Sequence, residues 1–382
     1  METRVEVKRS AIRNNFKQFR QFISQKVKIM AVVKSNAYGH GMVEVAKIVV
    51  QSGADWLGVI NLEEALKLRQ AKIKVPVFIL SYWTANKNCS TTGKIQEAIQ
   101  KNIDFPIYDL WQAKILSRIG QRIKRKVNIH VKIDTGTSRI GILPNQTVNF
   151  FKELQKIPNL NLRGIFTHYA ASEREDQSYT NWQTEKFEKV IRDLEKEGFN
   201  IPIKHAACSA STIINPKTHF NLVRIGIALY GLWPSEEIKR FVRKRKIKFY
   251  LQPALSWKTK IIQIKELPPK TFIGYDCTYQ TKEQTKIAVL PIGYWEGYDR
   301  KLSNVGEVLI HEQRCPIRGR ICMNLTMVEV SHLKDVKVGD EVVLIGKQGN
   351  EEVTADEMAG KVGTINYEIV TRINPLIPRK YI

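Results

Sequence analysis

The chain has 382 residues, 43% of them hydrophobic, and carries 61 Lys and Arg against 37 Asp and Glu, a formal net charge of +24. That length accommodates a large domain and a smaller one, each with its own core, and the hydrophobic content argues against disorder. No apolar run approaches the roughly 20 residues needed to cross a bilayer and no signal-peptide core opens the chain, so a soluble cytoplasmic protein without a membrane partner is expected.

From Lys28 to Ile225, short β-branched runs alternate with helix-length amphipathic segments, the pattern of a parallel sheet with helical crossovers. The runs are Lys28 to Val33, Trp56 to Ile60, Val75 to Leu80, Ile103 to Ile107, Val127 to Ile133, Leu162 to Thr167, Ile203 to Ala206 and Leu222 to Ile225. Helices such as Asn181 to Glu197 fall between them. Eight strand–helix units predict an N-terminal (β/α)8 barrel of the TIM type over residues 9–235.

The run Lys239 to Lys248, KRFVRKRKIK, holds the densest positive charge and sits where a solvated connector would lie. Clustered Lys and Arg can release counterions from a phosphate backbone, but elsewhere the charge is spread thinly, so no nucleic-acid partner is expected. The excess is a weak attractor for anionic ligands. Beyond about Tyr230 the pattern changes to alternating strands with Gly, Pro and Asn turns, at Leu255 to Ile264, Lys286 to Leu290, Val305 to Ile310, Met327 to Val330 and Glu341 to Ile345. A C-terminal, mainly β domain over residues 236–382 follows. Cys89, Cys208, Cys277, Cys315 and Cys322 are odd in number and show no paired CxxC spacing, which points to reduced thiols and to no metal site.

In barrels of this type chemistry gathers at the C-terminal ends of the strands. Lys34 directly follows the first run, in AVVKSNAYGHG, residues 31–41. An amine at the end of an apolar strand loses solvation and its pKa falls, which suits bonding to an aldehyde cofactor such as pyridoxal phosphate. Alone, such a lysine reads more readily as an ordinary snorkelling side chain, and it is the rest of the chain that reverses this. Arg139 lies in the loop after the fifth run, His168 ends the sixth, Ser209 follows the seventh and Arg224 ends the eighth. Taken singly, these are a structural histidine, a strand-end arginine with a carboxylate partner and turn residues.

The segment Val32 to Gly41 resembles the cofactor-lysine motif of alanine racemases, pyridoxal-phosphate enzymes that interconvert L- and D-alanine. Asp134-Thr135-Gly136 with Arg139-Ile140-Gly141, Val223 to Gly231, and Gly293-Tyr294 follow in that family's order across nearly the whole chain. The resemblance implies that residues 1–8, through Thr3 to Val7, pair into the β domain before the barrel begins. Lys34 would hold the cofactor and act as one base; Tyr275, in FIGYDCTY, would be the other, on the opposite face of an imine (external aldimine) that spreads the carbanion charge into the cofactor ring. His168, linked to Arg224, would support the tyrosine. Arg224 would donate to the ring nitrogen and keep it unprotonated. Tyr38, Ser209, Gly226, Ile227 and Tyr367 would hold the phosphate.

By the same resemblance Arg139 and the backbone amide of Met323 would bind the substrate carboxylate, Tyr294 would line the entrance, and Lys132 would be a site of carbamylation, with a buried satisfied lysine as the alternative. The expected partners are L- and D-alanine and a second copy in a head-to-tail homodimer with shared active sites, supplying D-alanine for peptidoglycan. Three departures stand out: Thr137 for a methionine, Cys208 for an asparagine and Asn324 for an aspartate. The last leaves open a racemase for serine or a broader set of amino acids. A non-catalytic pyridoxal-phosphate-binding barrel needs only Lys34 and a phosphate site, and leaves Tyr275 and the β domain without purpose.

Overall fold

The computed structural model describes residues 3–84 and 89–382, apart from the side chains of residues 89–91, so the Cys89 thiol lies outside the described residues. The chain forms two units, one of residues 11–35 and 42–252, the other of residues 1–10, 36–41 and 253–382.

The first unit is the barrel. Its strands are β2 (Lys28–Val32), β3 (Trp56–Val59), β4 (Val77–Ile79), β5 (Ile103–Ile107), β6 (Val127–Lys132), β7 (Leu160–Phe166), β8 (Ile203–His205) and β9 (Leu222–Ile225), following β1 (Arg4–Val7) of the other unit. All barrel pairs are parallel, in the order β8-β7-β6-β5-β4-β3-β2-β9. The seam between β8 and β9 is closed by Asn221 N–H to Lys204 O at 3.4 Å and Arg224 N–H to Ala207 O at 3.1 Å. The expected eight-strand barrel is present. Apart from Lys28 and the first half of β7, its strands are mostly buried, as parallel sheets covered on both faces require. Met30, Trp56, Phe78, Phe166, Ile203 and Leu222 pack inside it, each contributing about 1.5–3 kcal/mol of burial.

Crossover helices start where the sequence supplies caps. The Asn61 carboxamide accepts from Glu64 N–H at 2.9 Å to start Leu62–Gln70, and Asp109 accepts from Trp111 N–H at 2.5 Å to start Leu110–Arg122. The expected helix Asn181 to Glu197 runs over Ser178–Lys196. The basic run is not a bare connector. Ser235 caps a helix, Glu236–Lys244, that buries Ile238 and Val242 and leaves its cations in water, because apolar residues spaced four apart form one face.

In the second unit β1 lies between β10 (Leu255–Lys260), antiparallel, and β18 (Arg379–Tyr381), parallel. With β13 (Glu307–Ile310), β14 (Gln313–Pro316), β16 (Glu341–Gln348) and β17 (Glu351–Val353) they make a seven-stranded sheet; β11 (Gln263–Leu267), β12 (Thr285–Leu290) and β15 (Thr326–Glu329) make a second. The single strand expected from Leu255 to Ile264 is two strands in different sheets. Ile261 N–H bonds to Asp340 O and the next amide, Ile262, to Val289 O, both at 3.0 Å, so the chain changes sheet between consecutive residues. Two helices, Ala355–Val362 and Asn366–Thr371, lie near the end of this mainly β unit.

Residues 36–41 belong to the second unit although Lys34 and Ser35 belong to the first. Ser35, Asn36, Ala37 and Tyr38 all have φ of +52° to +53°, a full left-handed turn costing about 1–2 kcal/mol per non-glycine residue. Several contacts hold it. The His40 Nδ1–H donates to Ala37 O at 3.1 Å and Tyr38 O at 3.0 Å, Arg379 Nε–H donates to Gly39 O at 3.0 Å, and the Tyr381 hydroxyl donates to His40 O at 3.0 Å. At Gly39, φ +86°, a Cβ would lie 2.1 Å from Val370 O, so only glycine fits.

Candidate functional site

The C-terminal ends of the barrel strands collect cations. Lys34, half-buried after β2, has its amine pushed below the ordinary lysine range, first by burial and then by Arg139, with Glu64 opposing. Glu64 also accepts from Ser35 N–H at 2.7 Å and from Ile60 N–H at 3.0 Å, tying the loop after β2 to the end of β3. Glu64 is not among the site residues expected from the sequence; the Asn61-x-x-Glu64 spacing, a helix-start signature, is the local signal that marks it.

Lys132, on β6, is 5% exposed, and its Nζ stands 4.4 Å over the Phe166 ring. Burial, then Arg224 and Arg139, hold its amine well below the usual range. The adjoining loop is organised by Asp134: one carboxylate oxygen accepts from the amides of Gly136, Thr137 and Ser138 at 3.0, 2.9 and 3.0 Å, the other from Arg139 N–H at 3.0 Å. Burial raises the Asp134 carboxyl, but these four donors outweigh it and hold it below its ordinary value. The loop thus presents Arg139, exposed, over the barrel end.

Arg224, 5% exposed on β9, donates Nη2–H to Thr167 O at 2.9 Å and Ala206 O at 2.7 Å, and approaches His168 Nδ1 at 3.3 Å through Nη2 and His205 Nδ1 at 3.0 Å through Nη1. Burial lowers it to about 10. His168 lies well below the ordinary histidine range because of burial and then Arg224, Lys132, Arg139 and Lys34, so its imidazole is neutral. Lys34, Lys132, Arg139, His168 and Arg224 are therefore one electrostatically coupled group with Asp134 as its internal counter-charge. Such a site favours an anion. The Gln183 amide, which nothing local in the sequence marks, bonds His168 O at 3.1 Å and Ala170 N–H at 2.9 Å and fixes this strand end.

Ser209 is 4% exposed at the start of Ser209–Ile214, and its Oγ accepts from Gly226 N–H at 2.9 Å. Ile227, 1% exposed, starts the next 3-10 turn. The first amides of both turns have no acceptor within their own helix, which matches the donor set a phosphate needs. Cys208 precedes Ser209 with its Sγ 3.1 Å from Ser172 Oγ.

In the β unit Tyr38 and Tyr367 sit together, ring centroids 6.2 Å apart. Tyr275 is 67% exposed in a tight loop with positive φ at Gly274, Asp276 and Cys277. Asp276 anchors that loop to Arg300 at 3.6 Å and Arg320 at 3.4 Å. Tyr294 and Met323 are brought together by Tyr294 N–H to Cys322 O at 3.1 Å and Trp295 N–H to Met323 O at 2.9 Å. No hydrogen bond joins Tyr275 to Tyr294 or Met323. Asn324 donates its amide to Glu296 at 2.9 Å, a bond an aspartate could not make.

Residues 7–234 match the family described as alanine racemase, N-terminal domain, and residues 254–381 the alanine racemase C-terminal domain. An alanine racemase of Methanococcus maripaludis is 44% identical over 378 residues, 99% of this chain and 98% of the relative. The solved alanine racemase of Clostridium difficile 630 superposes with a TM-score of 0.92 at 35% identity, covering 100% of this chain and 96% of that one. That of Bacillus anthracis with bound L-Ala-P gives 0.92 at 38% identity, covering 100% and 95%.

Proposed function

We propose that this chain, which belongs to the alanine racemase family of pyridoxal-phosphate-dependent isomerases, interconverts L- and D-alanine with Lys34 and Tyr275 as its two bases. The carrying observation is the Lys34 amine, desolvated and held below its ordinary basicity beside Arg139. A lowered amine pKa favours the unprotonated form that bonding to an aldehyde and proton abstraction both require.

When bound, pyridoxal phosphate supplies electron withdrawal that makes the substrate Cα proton removable. The donor set fits it. Lys34 would hold its aldehyde carbon, Ser209, Gly226 and Ile227 its phosphate together with Tyr38 and Tyr367, and Arg224 its ring nitrogen, where a guanidinium gives an N–H and takes no proton. His168, neutral and bonded to Arg224, would keep that arginine aligned and support the tyrosine.

Arg139 and the Met323 amide would bind the substrate carboxylate. Lys34 Nζ takes the Cα proton on one face and Tyr275 Oη returns one on the other, and the roles exchange for the reverse reaction. The Lys132 amine, held well below its ordinary basicity, would add carbon dioxide from its unprotonated form with loss of a proton, and the carbamate would give Arg139 an anionic partner. Exposure of the large apolar side chains Phe272, Tyr275, Trp295 and Met323 at 53%, 67%, 59% and 54% supports a second chain covering them, in a homodimer whose sites draw on both chains. The same reading assigns cytoplasmic supply of D-alanine for peptidoglycan; no described helix is long and apolar enough to cross a membrane.

The test is D-alanine formation from L-alanine by purified, cofactor-loaded protein. Turnover lost in Lys34→Ala supports the reading; no interconversion in the parent, with a normal cofactor spectrum, overturns it in favour of serine or another amino acid as substrate.

A further inference from the structure

Arg224 is a buried cation that no carboxylate touches among the described residues; its acceptors are two carbonyls and two imidazoles. We propose that Asp104, His130 and His205 are positioning residues for Arg224, a single file of hydrogen bonds through the barrel interior that links the guanidinium to a remote counter-charge. This rests on the reading of Arg224 as the residue facing the cofactor ring.

The file is continuous. Arg224 Nη1 stands 3.0 Å from His205 Nδ1, His205 Nε2 stands 3.1 Å from His130 Nδ1, and His130 Nε2 stands 3.2 Å from Asp104 Oδ2. Because arginine can only donate and a carboxylate can only accept, one assignment satisfies every link: each imidazole is neutral, accepts at Nδ1 and donates from Nε2. Asp104, His130 and His205 are each 0% exposed. Aromatic rings wall them in. His205 stacks on Phe166 at 4.9 Å and 9°, and Phe78 lies 4.5 Å from His130. In such a medium each bond polarises the next.

Two further features show that the file is built. Gly164 on β7 leaves space for His130, whose Nδ1 would lie 2.4 Å from a Cβ there. At the far end Asp104 is gripped by Arg163 Nη1 at 3.2 and 3.1 Å, and Arg163 lies over Trp56 at 4.6 Å with its side chain 30% exposed. The buried anion is thereby anchored to the barrel wall. Its charge, relayed through two rings, makes His205 Nδ1 a stronger acceptor, which fixes the guanidinium in place and charged.

Asp104→Asn keeps size and acceptor and removes the charge. Its first readout is the imidazole 15N resonances of histidine-labelled protein without cofactor, assigned with His205→Gln. The His205 signal moves in Asp104→Asn although the two side chains do not touch; an unmoved His205 signal overturns the file, whatever the substrate proves to be. The second readout is the loaded enzyme. Asp104→Asn shifts the pH dependence of the bound-cofactor absorbance and lowers kcat roughly tenfold while KM for alanine holds. An unchanged spectrum and kcat overturn the positioning role. The double variant Asp104→Asn/Arg163→Gln, which leaves no unpaired cation, recovers thermal stability; recovery of the parental spectrum with it would reduce Asp104 to a structural role and overturn the proposal. An inactive parent condemns the racemase reading alone, since the resonance arm is unaffected.

Discussion

The Thr137 hydroxyl donates to the carbonyl of His168 at 2.6 Å, joining the Arg139 loop to the strand end that carries the candidate histidine. A methionine at this position could not make the bond, so the loop here is tethered by a polar link where an apolar one would otherwise serve. Thr137→Val keeps the shape and removes the donor. Losing one such bond costs about 0.5–1.5 kcal/mol. KM for alanine should rise roughly 2- to 10-fold with little change in kcat if, as proposed, Arg139 binds the substrate carboxylate. Steady-state kinetics in both directions check it; an unchanged KM would show that Asp134 alone sets the loop.

Gly39→Ala should be severely destabilising. The new Cβ meets Val370 O at 2.1 Å in a backbone with φ +86°, combining overpacking of about 1–3 kcal/mol with strain of about 1–2 kcal/mol. Thermal melting should fall by several degrees or soluble protein should be lost, whereas Gly198→Ala, with φ +85° but open space around it, should show the strain component alone.

Acid should weaken the β unit through His40, whose imidazole burial lowers to about 4. The unfolded chain, with a histidine pKa near 6.5, binds a proton that the folded chain refuses, so stability rises with pH between the two values. The contribution is complete above about pH 6.5 and is lost towards pH 4, a span worth about 3 kcal/mol for this side chain. Denaturant midpoints at pH 7, 6 and 5 should fall progressively, and His40→Asn should flatten the slope while lowering the midpoint at pH 7. A parallel slope in the variant would exclude His40 as the source.

Asn324→Asp would set a second carboxylate against Glu296, now bonded to the Asn324 amide at 2.9 Å. An exposed like-charge pair costs about 0.2–1 kcal/mol, and salt should recover it. Stability in low and high salt, together with the ratio of kcat/KM for serine over alanine, measures whether this asparagine shapes substrate range; an unchanged ratio would free it of that role.

If two chains share sites, mixing Lys34→Ala with Tyr275→Phe protein should restore activity to about a quarter of the parental sites after random subunit exchange, since half the dimers are mixed and each carries one intact site. Mixed dimers without activity would place both bases in one chain.

The barrel was readable because buried parallel strands are continuous apolar runs, and Lys34, His168 and Arg224 stood out as polar residues terminating them. The sheet change at Ile261 was not readable: both neighbours of the break are isoleucines, and only their acceptors, Asp340 and Val289, distinguish them. The run from Lys239 to Lys248 looked like a connector because its charge masked Ile238 and Val242, whose spacing marks a helix face. Asp104, His130 and His205 are not legible in the sequence for a different reason. Each is a polar residue within a short barrel strand with nothing beside it in sequence to mark a partner, and the partners lie 26 or 75 positions away, so only the closed barrel makes them one chain of bonds.

The placement of β1 sets the order in which the molecule can be finished during synthesis. Residues 4–7 leave the ribosome well before either neighbour, the antiparallel one being Leu255–Lys260 and the parallel one Arg379–Tyr381. At 5–20 residues per second about 20 to 75 seconds pass before the last neighbour exists. For about the first two thirds of that interval, until Leu255–Lys260 exists, a strand with both edges open must be kept from pairing with nascent copies on the same messenger, and the short, charge-alternating sequence Arg4-Val5-Glu6-Val7 is suited to waiting.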